Sequence, residues 1–457
     1  MKILFKRRII LFSVLAVLLL LIGFCFTGID RSPYKEQDYY KNTITALGKI
    51  KPDTGSDKCC FFKAGWSFAN ITPDHAIVLA GYSPWRNNHT KVRDSIYVKA
   101  FCFSEGNRKV ALLTVDLLIF PPLLKDSLLQ RLKTKGYTED NLYLSATHTH
   151  HGPGGWAGHP AGKVIAGGVD EQYFHFLIEQ LSSVVLAAES DLKPAELGMG
   201  KAYAPALVIN RIKPEDSIDP WIRYLRIRQV SGKESALVTF AAHNNCLDSK
   251  HEFISCDYAG VLTHALEERG GLDMAAYCAG AVGSMKPANA SGQLTDLLQM
   301  DFIGNKIAQL TLSSSDSLSM SSNITLSSFY LPVELRAPHL KITEDIRVRP
   351  FVFNWAFGPY QAGIRVLKVG SVLMLGMPCD FSGQLMAELE QYAAERGMQL
   401  IVTSFNGAYI GYVTNDAYYD LDKSESRTMN WFGPENGAYF SELAKGIIDK
   451  YGDEKIR

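Results

Sequence analysis

Apolar and polar positions follow two rhythms along this chain. Residues 95–103 (SIYVKAFCF) and 109–120 (KVALLTVDLLIF) are rich in β-branched and aromatic residues and predict strands. Residues 123–136 (LLKDSLLQRLKTKG) space their apolar positions at helical intervals and stop at Gly136. Residues 141–150 predict a strand that ends on histidines, and 171–190 (EQYFHFLIEQLSSVVLAAES) a long amphipathic helix. Two strands around a Ser-Gly turn are expected over 222–243, a helix over 261–270, a short buried strand over 275–283 and a helix over 297–312. Strands at 364–370 and 372–378, a helix at 381–397, a strand from 399 and a last helix at 439–452 complete the series. Mixed strands and helices predict an α/β (mixed α+β) fold, with central mixed β-sheets flanked by helices and chemistry on the loops at strand ends. No internal repeat and no low-complexity segment is visible in the sequence.

The N-terminus follows another pattern. Four basic residues in MKILFKRR precede an apolar run, residues 9–26. This predicts a signal peptide or signal anchor over residues 1–28, with the rest of the chain outside the cytoplasm. Residues 29–60 are polar and read as a linker. Residues 61–457 read as the functional domain.

Composition narrows the class. With 47 basic and 47 acidic residues the formal charge is zero, so bulk charge offers no nucleic-acid surface. An apolar content of 47% is that of a globular protein. The eight cysteines include no CxxC pair, and zero or one disulfide is expected.

Candidate chemistry collects at strand ends. The segment LSATHTHHGPGGW places three of eleven histidines, His148, His150 and His151, within four positions. Period two along a strand would put His148 and His150 on one face, able to share a metal. The alternative is a solvated histidine-rich loop. His243 ends a second apolar strand. Asp380 follows a third, where taken alone it reads more strongly as a cap of the next helix than as a cation ligand. Tyr409 and Tyr412 lie on a glycine-bearing loop, and taken alone read as packed aromatics.

Taken in order, these segments resemble the neutral/alkaline ceramidase family. THTHHGPGG is similar to that family's THTHSGPGG-like segment, and FAAH to its FAxH. Asn210-Arg211 with Asp219-Pro220 corresponds to its NR…NP pairs, and Ser255, Asp257 and Gly260 to SGDxxG. PCDFS corresponds to PGEFT, IGYV to a GYV-like element, and Phe432–Pro434 to YGP. The resemblance runs from about residue 62 to 450. It implies a zinc amidase that cleaves the N-acyl bond of ceramide or a related N-acyl lipid. It also implies zinc ligands at His148, His243, Asp380 and Tyr412. His150 would line the site and protonate the leaving amine, and Arg211 would hold the substrate head or oxyanion.

Departures from the family pattern bear on the substrate. Asp380 replaces a glutamate and is one methylene shorter. Lys286 stands where the family has a serine proposed to take part in catalysis, with Ser284 two residues earlier. His151 replaces another serine, and DLDKSESR replaces the EYxxQxYE stretch. A zinc hydrolase of a peptide or ester bond, or a non-catalytic lipid-binding protein that kept the fold, are the competing readings. Only residues 413–457 follow Tyr412, too few for the C-terminal β-sandwich of about 100 residues that many members carry.

Overall fold

Long strands that are apolar on both faces must be covered on both faces, and the architecture follows from that need. The structure, a computed structural model, describes residues 5, 7, 10–15, 22–53, 61–82, 88–89, 91–289, 292–315 and 317–452. Eight strands form one sheet: β1 (Lys63–Asn70), β2 (Tyr97–Glu105), β3 (Arg108–Val115), β4 (Leu142–Ala146), β5 (Lys193–Tyr203), β6 (Trp221–Gln229), β7 (Glu234–Phe240) and β8 (Met274–Ala279). Their order is β8-β7-β6-β5-β1-β2-β3-β4. The β1–β5 ladder is only Lys63↔Pro194 and Ala64↔Lys193, so the sheet divides there into two four-stranded halves. A separate four-stranded sheet runs β9 (Leu326–Val333), β10 (Ala362–Val369), β11 (Val372–Gly376) and β12 (Gln399–Thr403).

The two halves and the second sheet turn one face each to a shared inner core. Phe101, Phe103 and Leu112 from the first half meet Leu225, Leu237 and Ala276 from the second and Leu367, Val372 and Ile401 from the third. Alternate residues face outward: Val98, Ala100 and Cys102 on β2 join the core under the helices. The period of two thus puts each strand in two cores at once.

The helices cover the outer faces. They are α1 (Asp38–Lys49), α2 (Pro122–Leu132), α3 (Glu171–Ser190), α4 (Tyr258–Gly270), α5 (Asp296–Ser315), α6 (Met386–Ala394) and α7 (Asn436–Gly452). In α3 the Asp170 side chain accepts from Tyr173 N and caps the helix, and Tyr173, Leu177, Leu181, Val184 and Ala188 form its buried stripe.

Chain order exposes a repeat. Each unit is a three-stranded antiparallel meander, a helix, a fourth strand parallel to the third, and a closing helix. The first runs β1-β2-β3-α2-β4-α3, the second β5-β6-β7-α4-β8-α5, and the third β9-β10-β11-α6-β12-α7. The parallel pairs are β3–β4, β7–β8 and β11–β12. Topology therefore repeats three times, a repeat that the residue pattern does not show.

The linker reading of residues 29–60 is corrected in part. α1 falls inside it, its Leu47 is 5% exposed in the core of the third unit, and Glu334 N donates to Thr43 Oγ1. Phe26–Gly28 pairs with Ile346–Val348 as well. The apolar run at 9–26 falls partly outside the described residues, among which no helix is long and apolar enough to cross a membrane. Among the described residues Cys102, Cys246, Cys256, Cys278 and Cys379 are free of disulfides. Cys59 and Cys60 lie outside the described residues.

Leu112 is fully buried between the sheets. Leu112→Ala should lower unfolding free energy by about 2–5 kcal/mol in chemical denaturation. Val230→Ala, on a side chain 75% exposed, should shift it by less than about 0.5 kcal/mol.

Candidate metal centre

The carboxyl ends of the parallel strand pairs point to one place, and the loops leaving them carry the histidines. β4 ends at Ala146, so His148 is past the strand and has φ +62. Strand alternation is thus not what brings His148 and His150 together. A left-handed residue in the turn does so, leaving their Nε2 atoms 3.3 Å apart. His148 N donates to Leu117 O, and its Nδ1 lies 2.6 Å from Leu118 O, both acceptors on the loop after β3. Its ring stacks on Phe405 at 4.1 Å. Phe405 has φ +64 and sits two residues beyond β12, as His148 does beyond β4.

His243 comes from the loop after β7. Its Nδ1 lies 2.8 Å from Val282 O and 3.0 Å from Met285 O. His150 Nδ1 lies 2.9 Å from Gly81 O. A carbonyl can only accept, so all three imidazoles carry the proton on Nδ1 and present a bare Nε2 lone pair. Burial pushes the His148 imidazolium pKa down to about 3 and those of His150 and His243 well below the ordinary value, so the rings are neutral at pH 7.

Asp380 and Tyr412 arrive together. The short parallel ladder of Asp380–Phe381 with Tyr412–Val413 places Asp380 opposite Tyr412. Asp380 caps no helix, since Gly383–Leu385 forms a 3-10 turn before α6 starts at Met386. Its Oδ1 is 3.2 Å from His243 Nε2 and 3.6 Å from His148 Nε2. Tyr412 Oη is 3.2 Å from His243 Nε2. Tyr409 Oη donates to Asp380 Oδ2 at 2.8 Å. Burial raises the Asp380 pKa, opposed by His148 and the Tyr409 hydrogen bond.

This set fits a cation. Asp380 Oδ1 is fully buried and has no hydrogen-bond partner. His148, His150 and His243 each offer a ring nitrogen within 4.8 Å of the others. Donors in a tetrahedral shell of radius ~2.0–2.1 Å lie roughly 3.3 Å apart, close to the separations observed. The donors are imidazole, carboxylate and phenol, which suit zinc.

Arg211 lies against the cluster. Its Nη2 donates to Tyr412 Oη at 2.7 Å and approaches His243 Nε2 at 3.2 Å. Its Nε is 2.8 Å from Glu425 Oε1, and both side chains are largely buried. Glu425 escapes notice in the sequence because it lies in DLDKSESR, where no spacing or neighbour marks it. The carboxylate offsets the guanidinium, so the donor set can take a divalent cation without excess positive charge.

Two histidine-region expectations resolve differently. His151 is buried with its ring nitrogens 3.3 and 3.1 Å from Phe253 O and Asp248 O, so it braces loop 248–253 and not the donor cluster. Lys286 is exposed on Met285–Pro287, which pairs with Val208–Asn210, and it makes no hydrogen bond or ion pair to the cluster among the described residues. Ser284 is buried, donating to Gln384 Oε1 and accepting from Ser382 Oγ.

Gly283 allows the β8 loop to touch the Asp380 backbone. Its N donates to Phe381 O at 2.7 Å, and a Cβ there would lie 2.4 Å from Asp380 O. Gly283→Ala should displace Asp380, destabilise the fold by about 1–3 kcal/mol and weaken metal retention in dialysis against a chelator.

Comparison with known proteins places this geometry. Residues 62–296 match the family described as neutral/alkaline non-lysosomal ceramidase, N-terminal. Neutral ceramidases of Pseudomonas aeruginosa and Mycobacterium tuberculosis are each 25% identical over 248 and 261 residues. Those matches cover 50% of this chain and 37% and 41% of the relatives, so the chain spans well under two thirds of their length. The crystal structure of the Pseudomonas aeruginosa neutral ceramidase shares the fold, with TM-score 0.77 and 20% identity over 87% of this chain and 75% of that one. A ceramidase complexed with C2 gives TM-score 0.76 at 19% identity. The family match holds His148, His150, Arg211 and His243, while Asp380 and Tyr412 lie beyond it, in the third unit. With over half its length matched, the chain belongs to the neutral/alkaline non-lysosomal ceramidase family.

Proposed function

We propose that the chain is a zinc-dependent amidase that hydrolyses the N-acyl bond of ceramide or a related N-acyl lipid, outside the cytoplasm and at a membrane. The observation that carries this reading is the convergence of His148, His243, Asp380 and Tyr412, with both Nε2 lone pairs freed by Nδ1–carbonyl hydrogen bonds. These four residues would hold the zinc. When bound, zinc lowers the pKa of a coordinated water and polarises an amide carbonyl.

The chain's own groups supply the rest. Arg211, which donates to Tyr412 Oη, would together with the Tyr412 hydroxyl donate to an oxyanion. His150 is anchored at Nδ1 and has its Nε2 facing the cluster, where it can receive a proton and hand it to the leaving amine nitrogen. Glu425 keeps Arg211 aimed. Tyr409 fixes the Asp380 carboxylate. Lys286, exposed as it is, is given no proton-transfer step. That Asp380 reaches both histidines despite its shorter arm supports catalysis over a purely lipid-binding role.

Purified protein should contain about one zinc per chain, read by elemental analysis, and should lose activity to a chelator. Fatty acid should be released from N-acylated lipids in a panel that also holds esters and peptides. His148→Ala and His243→Ala should each lose the metal. His150→Ala should keep it and lose rate by about 10²–10⁴. Full zinc content in His243→Ala, or turnover of esters or peptides alone, would overturn the assignment.

A further inference from the structure

Two short helices next to the site are apolar on the side that faces away from the core. Pro350–Phe357 (PFVFNWAF) buries Phe353 among Phe357, Tyr360, Trp431 and Phe432. The same helix leaves Phe351 53% and Trp355 72% exposed. Pro160–Ala166 packs against it and leaves Val164 and Ile165 at 40% and 37%. Side chains of this size grouped at a surface mark an interaction site.

The N-terminal chain indicates the occupant. Phe26–Gly28 pairs with Ile346–Val348, and Cys25 O accepts from Arg349 N. The Phe24 ring, 60% exposed, lies 5.7 Å from Phe351, and the Arg349 guanidinium lies 4.9 Å from the Phe24 centroid. The apolar run at 9–26 therefore joins the folded domain at the edge of this face. Ile10, Leu11, Phe12 and Val14 within it are all more than half exposed. An apolar run of about the length that crosses a bilayer, joining the domain here, would bring lipid against Trp355 and Phe351. An exposed tryptophan on an apolar face is typical of a membrane–water boundary.

We infer that Pro350–Phe357 and Pro160–Ala166 form a face that lies in the surface of a lipid bilayer, a contact additional to any N-terminal anchor. The face is tied to the donor cluster on both sides. Phe357 packs on Trp431 at 4.9 Å, Trp431 on Tyr409 at 5.7 Å, and Tyr409 donates to Asp380. Pro160–Ala166 follows the GPGG turn that continues the histidine loop, and Val164 lines a cavity of about 620 Å³ with Ile77, Val78 and Val169. Docking this face holds the site beside the lipid from which an N-acyl substrate would come. The inference concerns the surface alone and does not depend on the metal or the reaction.

The test uses the full chain mixed with phosphatidylcholine vesicles, plain or with brominated acyl chains, after flotation to recover the bound protein. The emission that disappears in Trp355→Phe isolates Trp355 from the other tryptophans. That component should be quenched by the brominated chains and should lose its access to acrylamide. The exposed position of Trp355 makes this variant conservative for folding, and an unchanged melting temperature checks it. The inference is overturned if the chain does not float with vesicles, or if the Trp355 component stays unquenched and open to acrylamide. It is also overturned if shielding rises with protein concentration without bromine quenching, which would make a second copy the occupant. Zinc content and turnover are not read in this experiment, so its failure leaves the amidase reading untouched.

Discussion

The Nδ1–carbonyl hydrogen bonds of His148, His150 and His243 are the constraint on which the site depends. Each one fixes a tautomer and aims a lone pair inward. Together with the unpartnered Asp380 Oδ1, they concentrate electron density in a buried space. Such an arrangement is unfavourable unless a positive charge joins it. Two of the acceptors, Leu118 O and Val282 O, lie on loops that leave β3 and β8, so the sheet positions those imidazoles.

The threefold repeat explains why the loops converge. A parallel pair requires a crossover, and here the crossovers are α2, α4 and α6. Both strands of a parallel pair end on the same side, so each unit presents two adjacent carboxyl ends. The three units share the inner core, which sets those ends around one axis. The first unit supplies His148 and His150, the second Arg211 and His243, and the third Asp380, Tyr412 and Glu425. No unit holds the donor set alone, so the site is complete only when the three units are packed together.

Much of this fold is legible in residue patterns, and its gaps have physical causes. The stripe in α3 predicts its limits because one face alone is buried. β5 (KPAELGMGKAY) is hidden because it contains residues that disfavour strands. Its glycines are there for packing, since a Cβ on Gly200 would lie 2.1 Å from the Tyr224 ring. α1 is hidden by its polar exposed face, and only Thr43 and Leu47 are buried. The repeat is invisible because a core with two faces constrains hydrophobicity and size, not identity. At the site, the histidines are marked by their position at strand ends. Asp380 and Tyr412 are marked only by resemblance, because a cap and a packed aromatic account for them until their register is known. Glu425 is set by a tertiary contact alone.

The Asp380 carboxylate reaches His148 and His243 because its backbone is held close to them. A glutamate reaches inward by one more methylene, so an aspartate needs its backbone nearer the centre. Three contacts hold it there. The Asp380–Phe381 ladder ties it to Tyr412–Val413, and Asp380 N donates to Gly411 O. Gly283, with no side chain, lets the β8 loop press against Asp380 from the other side and donate to Phe381 O. The Val282↔Ser382 bridge and the Ser382–Ser284 hydrogen bond extend that contact. The segment GSMKP, which carries Lys286, is therefore also the segment that supports Asp380. Ser284 and Gly283 thus brace the backbone that delivers the Asp380 carboxylate, while Lys286 alternates outward.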